Sequence, residues 1–82
     1  MPEDIIMYGT TWCPDCTRAK NFLYSRGVHF KWIDIALDPQ AAIEVERINK
    51  GYKSVPTILF PDGSVLVEPS NAELEKKLTP QG

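Results

Sequence analysis

Apolar residues in this sequence alternate between two spacings, a strand-like run and a helix-like interval, with a switch about every ten to fifteen residues. Ile5-Ile6-Met7-Tyr8 is a short apolar run closed by Gly9 and suits a buried central strand. From Pro14 to about Arg26, Cys16, Ala19, Phe22 and Leu23 fall three and four positions apart, which places them on one face of a helix that Gly27 ends. His29 to Ile35 alternates as a strand, with Phe30, Trp32 and Asp34 on one side and Lys31, Ile33 and Ile35 on the other. Asp38-Pro39 supplies a cap and a first-turn proline for a second helix to about Asn49, with Gly51 as its stop.

The pattern then changes. Thr57-Ile58-Leu59-Phe60 and Val65-Leu66-Val67 are two strands joined by the turn Pro61-Asp62-Gly63-Ser64. Ser70 caps a last helix, Glu73 completes a capping box, and Leu74 and Leu78 lie one turn apart on its buried side. The order β-α-β-α-β-β-α fits an α/β domain with a four-stranded mixed sheet and helices on both faces. At 82 residues with 43% apolar side chains the chain has room for one core, so a single domain over 1–82 is expected.

Nine basic and eleven acidic residues leave no basic stripe, so nucleic acid is not an expected partner. Met1-Pro2-Glu3-Asp4 lacks the basic start and apolar run of a secretion signal, and no stretch has the length of a membrane span. A cytoplasmic chain, acting as a monomer, is the expectation. The two cysteines, only three positions apart, cannot form the framework of a small secreted fold, and so short a loop stabilises little. Their spacing calls for a chemical explanation.

Cys13-Pro14-Asp15-Cys16 stands where the first strand gives way to the first helix. The thiolate is the reactive species in disulfide exchange, and an ordinary cysteine is mostly protonated at neutral pH. A sulfur just before a helix faces the unpaired N–H groups of the first turn and the positive end of the dipole. Cys13 is therefore the expected nucleophile. Cys16, one turn further in and more buried, is placed to resolve a mixed disulfide. Pro14 pre-sets φ for the first turn and stiffens the loop between the sulfurs. Asp15 opposes the thiolate, by about 0.5 to 1.4 kcal/mol for charges roughly 6 to 8 Å apart in a wet environment. Arg18 and Lys20 are expected to point to solvent. Trp12 is either a substrate-facing aromatic or a lid on the helix, Trp32 a core residue and His29 a surface one. Two cysteines and a distant His29 fall short of a zinc site, and a surface turn is no place for inert core cysteines.

These residues resemble the glutaredoxin family. Tyr8, Cys13-Pro14-Asp15-Cys16-Thr17-Arg18-Ala19-Lys20 and Ser54-Val55-Pro56-Thr57 carry the likeness, which extends from about residue 4 to residue 78. Asp62-Gly63-Ser64 and Pro69-Ser70 with Glu73-Leu74 look like the mycoredoxin branch. The resemblance implies a thioredoxin fold, no tightly bound cofactor and a low-molecular-weight thiol, glutathione or mycothiol, as co-substrate. It implies a cis proline at Pro56 beside the nucleophile, with Val55 offering its backbone to substrate and Ser54 next to it. It also implies a carboxylate site at Ser70 and Asn71, although Ser70 serves equally well as a plain cap. Glutathione-using members often carry a lysine where this chain has Thr10 and an aromatic where it has Asp15. That loss of a cation and gain of an anion point to a less charged thiol such as mycothiol, or to protein disulfides directly, with Lys53 or Lys50 as a substitute cation near the Val55-Pro56 turn and Tyr52 flanking the groove. Recharging by a thioredoxin-reductase-like flavoprotein is the first alternative. A [2Fe-2S] cluster held between two chains through Cys13 is the second, and Pro14 disfavours it.

Overall fold

A computed structural model describes residues 4–79. Met1 to Glu3, part of the segment on which the expectation of a chain without a leader rests, lie outside the described residues, as do the last three of the 1–82 domain reading. The elements run β1 (Ile5–Gly9), α1 (Pro14–Ser25), β2 (Phe30–Asp34), α2 (Pro39–Ile48), β3 (Thr57–Leu59), β4 (Val65–Val67) and α3 (Asn71–Leu78). The expected order is present, with two boundary differences of consequence. β1 continues through Gly9, which was read as its stop, and β3 ends at Leu59, because Phe60 already belongs to the turn, where its N–H donates to the Ser64 carbonyl.

The four strands form one mixed sheet in the order β2-β1-β3-β4. β1 pairs parallel with β2 and antiparallel with β3, and β3 pairs antiparallel with β4. The period-two alternation sorts side chains onto the two faces. Met7 and Ile58 turn to one face, where Ala19 and Leu23 of α1 and Leu74 of α3 meet them with Phe60, and Phe30 and Trp32 pack at the margin. Tyr8 and Ile35 turn to the other, against Ala41 and Val45 of α2, with Ile6, Ile33 and Val55 around them. The faces assigned to the two halves of β2 from its alternation are those observed.

Local chemistry sets the helix ends. Asp38 accepts from the Ala41 N–H at 3.1 Å, with Pro39 behind it. Ser70 accepts from the Glu73 N–H while its own N–H donates to the Glu73 carboxylate, so the capping box is complete. At the C-terminal end of α2, Asn49 donates through Nδ2 to the Val45 carbonyl and to Thr57 Oγ1, each at 3.0 Å, and Thr57 donates on to the Ser54 carbonyl at 2.7 Å. That chain of bonds ties α2 to the turn before β3. Among the described residues no helix is long and apolar enough to cross a membrane.

Candidate active site

Cys13 is the N-cap of α1, in extended backbone conformation, and its N–H reaches the Thr10 carbonyl at 3.4 Å. Its Sγ accepts from the Cys16 backbone N–H at 3.1 Å, taking one of the donors that a helix start leaves unpaired. Proline follows because its missing N–H costs nothing in the first turn. On the other side the thiol lies 3.9 Å from the Val55 carbonyl, across forty-two positions of sequence. The Val55–Pro56 bond is cis, and Pro56 is buried.

The two cysteines are free thiols in different surroundings. Cys13 is partly exposed; Cys16 is fully covered. Burial, then the hydrogen bond with Cys13, pushes the Cys16 thiol up to about 12, and the Asp15 carboxylate adds to the rise. The cover over Cys16 depends on Gly9. A Cβ at that position would stand 2.7 Å from Cys16 Sγ and 2.7 and 2.8 Å from Cη2 and Cζ3 of Trp32, closer than such atoms approach, so glycine is required for space and not only as a strand stop.

Beside the Val55 contact lies a hollow of about 310 Å³ lined by Thr10, Trp12, Ile35, Ala36, Ala42, Lys53 and Val55. Its walls are mostly apolar. Trp12, 71% exposed, stands at its rim as a surface aromatic and not as a lid on α1. Tyr52 and Leu37, next in sequence to lining residues, are exposed as well. Thr10 Oγ1 is buried and has no hydrogen-bond partner among the described residues. Lys53 is exposed and 3.9 Å from Glu46. A larger depression of about 430 Å³ lies between β4 and α3 around Leu66, Glu73, Lys76 and Lys77, and neither cysteine lines it.

Two side chains depart from expectation. Arg18 does not point to solvent: it donates to Asn71 Oδ1 at 2.6 Å and to the Pro69 carbonyl at 2.7 Å, with its Nε 3.8 Å from the Asp15 carboxylate. Lys20 does not either, since its ammonium lies 4.0 Å from the centre of the Trp32 ring. Both were misread because a lone basic residue on a helix has no sequence signal for an acceptor far along the chain. The structure thus brings Cys13, Cys16, Trp12, Pro14, Ser54, Val55, Pro56 and Lys53 to one end of the sheet. Ser70 and Asn71 reach this end through Arg18, which is held on the helix that Cys13 caps. His29 is exposed and apart from all of them, and Trp32 is half-buried against the core, as read from the sequence. The space that Gly9 leaves, the bonds made by Asn49 and the orphan hydroxyl of Thr10 were not foreseen, and only the position of Gly9 directly before the cysteine loop gave a hint.

Known proteins resemble this chain in sequence and in fold. The glutaredoxin family model matches residues 5–65. A Mycobacterium tuberculosis protein that carries the name glutaredoxin is 38% identical over 74 residues, covering 90% of this chain and 88% of its own length. Mycoredoxin 1 of Corynebacterium glutamicum is 32% identical over 76 residues, covering 93% of this chain and 94% of that protein. The crystal structure of a glutaredoxin from Archaeoglobus fulgidus superposes with a TM-score of 0.78 at 26% identity, covering 90% of this chain and 84% of that one. With fold, cysteine pair and sequence in agreement, the chain belongs to the glutaredoxin family and is a thiol-disulfide oxidoreductase of the thioredoxin fold.

Proposed function

We propose that the protein reduces protein disulfides and mixed disulfides with low-molecular-weight thiols, with Cys13 as the attacking sulfur and Cys16 as the resolving one. The observation that carries this reading is the unequal placement of the two sulfurs. Cys13 Sγ receives a helix-terminal N–H and borders the surface, whereas Cys16 Sγ is fully covered. A thiolate at Cys13 attacks one sulfur of the substrate disulfide and expels the other as a thiolate; Cys16 then displaces the remaining half. Pro14 holds the interval between the sulfurs, and the Asp15 charge is partly balanced by Arg18.

Substrate binding is assigned to the groove between Trp12 and Val55. The Val55 backbone offers strand-like pairing, and Ser54 and Pro56 hold that turn in place. Lys53 is the cation at the edge of the hollow, and Asn71 with Arg18 forms the carboxylate-facing corner, where Ser70 is occupied as a cap. Mycothiol is the favoured recharging thiol. The relative named mycoredoxin supports it, as do Thr10 in place of a lysine and Asp15 in place of an aromatic. Direct recharging by a flavoprotein is the second reading, favoured by the exposed apolar rim of Trp12, Leu37 and Tyr52, a surface suited to another protein. We place the working protein in the cytoplasm as a monomer, with no tightly bound cofactor.

The test is reduction of a mixed-disulfide substrate with glutathione, mycothiol or a thioredoxin-reductase system supplied in parallel, for the native chain, Cys13→Ser and Cys16→Ser. Mycothiol-dependent turnover is expected, with Cys13→Ser inactive on every substrate and Cys16→Ser inactive on protein disulfides. Turnover in Cys13→Ser sinks the mechanism, and turnover with the flavoprotein alone sinks the choice of thiol.

A further inference from the structure

Resolution of a mixed disulfide asks Cys16 to lose a proton in a place hostile to negative charge. Its side chain has no exposed surface, and Asp15 stands nearby with a charge of the same sign. The Thr10 backbone N–H is a favourable neighbour from the preceding loop. From β2, Asp34 pairs with Gly9 across the ladder but turns its carboxylate to the Ala36 N–H at 2.9 Å. Toward α3, Arg18 is bound to Asn71 and Pro69. None of these neighbours is a cation aimed at the buried sulfur.

Lys20 is placed for that role. It lies one helical turn beyond Cys16 on the same side of α1. Its ammonium is held 4.0 Å from the centre of the Trp32 ring. The outer edge of that ring and Cys16 Sγ converge on one spot above Gly9, which only a glycine leaves open. The ammonium over its face and the sulfur near its edge are thus gathered around one indole.

We propose that Lys20, pinned on the Trp32 ring, is the positioned charge that supports the Cys16 thiolate during resolution. The proposal rests on the reading in which Cys13 attacks and Cys16 resolves. In the step concerned, the Cys16 thiol gives its proton to solvent and its thiolate attacks Cys13 Sγ. The Cys13–Cys16 disulfide forms as the bond from Cys13 to the substrate sulfur breaks. The substrate leaves as a thiolate that takes up a proton, so the two protein sulfurs are oxidised as the two sulfurs of the original disulfide are reduced. Lys20 touches none of the reacting atoms and acts through the field it sets at Cys16.

Reduced protein mixed with a chromogenic aromatic disulfide releases the coloured thiol in two phases, the first on attack by Cys13 and the second on resolution by Cys16. Lys20→Met, which keeps the stem against the ring and removes the charge, is expected to slow the second phase roughly three- to tenfold near neutral pH, with the first phase as internal reference. The midpoint of the second phase moves to higher pH, and Lys20→Arg restores both. In a Cys13→Ser background, the ultraviolet absorbance of the Cys16 thiolate is expected to develop at higher pH in Lys20→Met than in its parent. A second phase and a thiolate titration both unmoved by Lys20→Met overturn the proposal. A second phase that persists in Cys16→Ser overturns instead the assignment of Cys16 as the resolving sulfur, whatever Lys20 does.

Discussion

The two faces of the sheet are built to different standards. On one, Met7, Ala19, Leu23, Ile58 and Leu74 are fully buried between the strands and the pair α1 and α3. On the other, a single helix presents mainly Ala41 and Val45 to Tyr8 and Ile35, and the margin opens into the hollow beside Val55. The first face closes over Cys16, while the second leaves a groove at the end of the sheet where Cys13 emerges. Opposite tasks for two sulfurs three residues apart follow from that asymmetry: one loop lies on the seam between a dense side and a thin one.

Large-to-small changes break the comparison most strongly. Leu23→Ala, on the dense face, is expected to cost about 3 to 4 kcal/mol, and Val45→Ala, on the thin face, about 2 kcal/mol, both read by urea unfolding. Equal losses at the two sites argue against the asymmetry. Gly9→Ala, at the seam itself, forces Cys16 or Trp32 to move and is expected to cost about 1 to 3 kcal/mol, with slower closure of the Cys13–Cys16 disulfide.

Alkaline pH sharpens it next. The unfolded chain ionises Cys16 near the ordinary value of 9.0, whereas the folded chain holds its proton to about 12. Above pH 9 the unfolded state therefore sheds a proton that the folded state keeps. Stability that is complete below that pH is lost as pH rises toward 12, on the order of 1 kcal/mol by about pH 10. Buried Tyr8, also raised by desolvation, adds a loss in the same direction at higher pH. Reduced Cys16→Ser should lack the part of the loss that begins near pH 9, as followed by thermal unfolding across alkaline buffers.

Smaller effects belong to two polar side chains, one bonded and one not. Arg18→Ala removes the bonds that hold the start of α3 to α1 and is expected to cost about 1 kcal/mol, measured by unfolding in parallel with Arg18→Lys. On the open face, Thr10→Val deletes a buried hydroxyl that has no partner, so stability is expected to hold or to rise by up to about 1 kcal/mol. A loss at Thr10 shows that the hydroxyl is bonded in solution.

Most of this architecture was legible because it is written in local rules. The change of spacing marked all seven elements, Asp38-Pro39 and Ser70 with Glu73 marked two helix starts, and alternation put Trp32 on one face of its strand with Phe30. The position of Cys13 as a cap followed from Pro14 in the same way. Contacts between distant segments were not legible. Nothing in the run Thr17-Arg18-Ala19-Lys20 says that one cation reaches Asn71 and the other a tryptophan on the next strand. The spatial need for Gly9 likewise becomes visible only when α1 and β2 are docked against β1.

The measurement that bears most directly on the account is partial alkylation of the fully reduced native protein at neutral pH, with the labelled cysteine located by peptide mass mapping. The account predicts that the label enters at Cys13, the partly exposed helix cap, with Cys16 modified only after unfolding. First modification at Cys16, or equal modification of the two in the folded protein, would contradict the division of roles between the sulfurs.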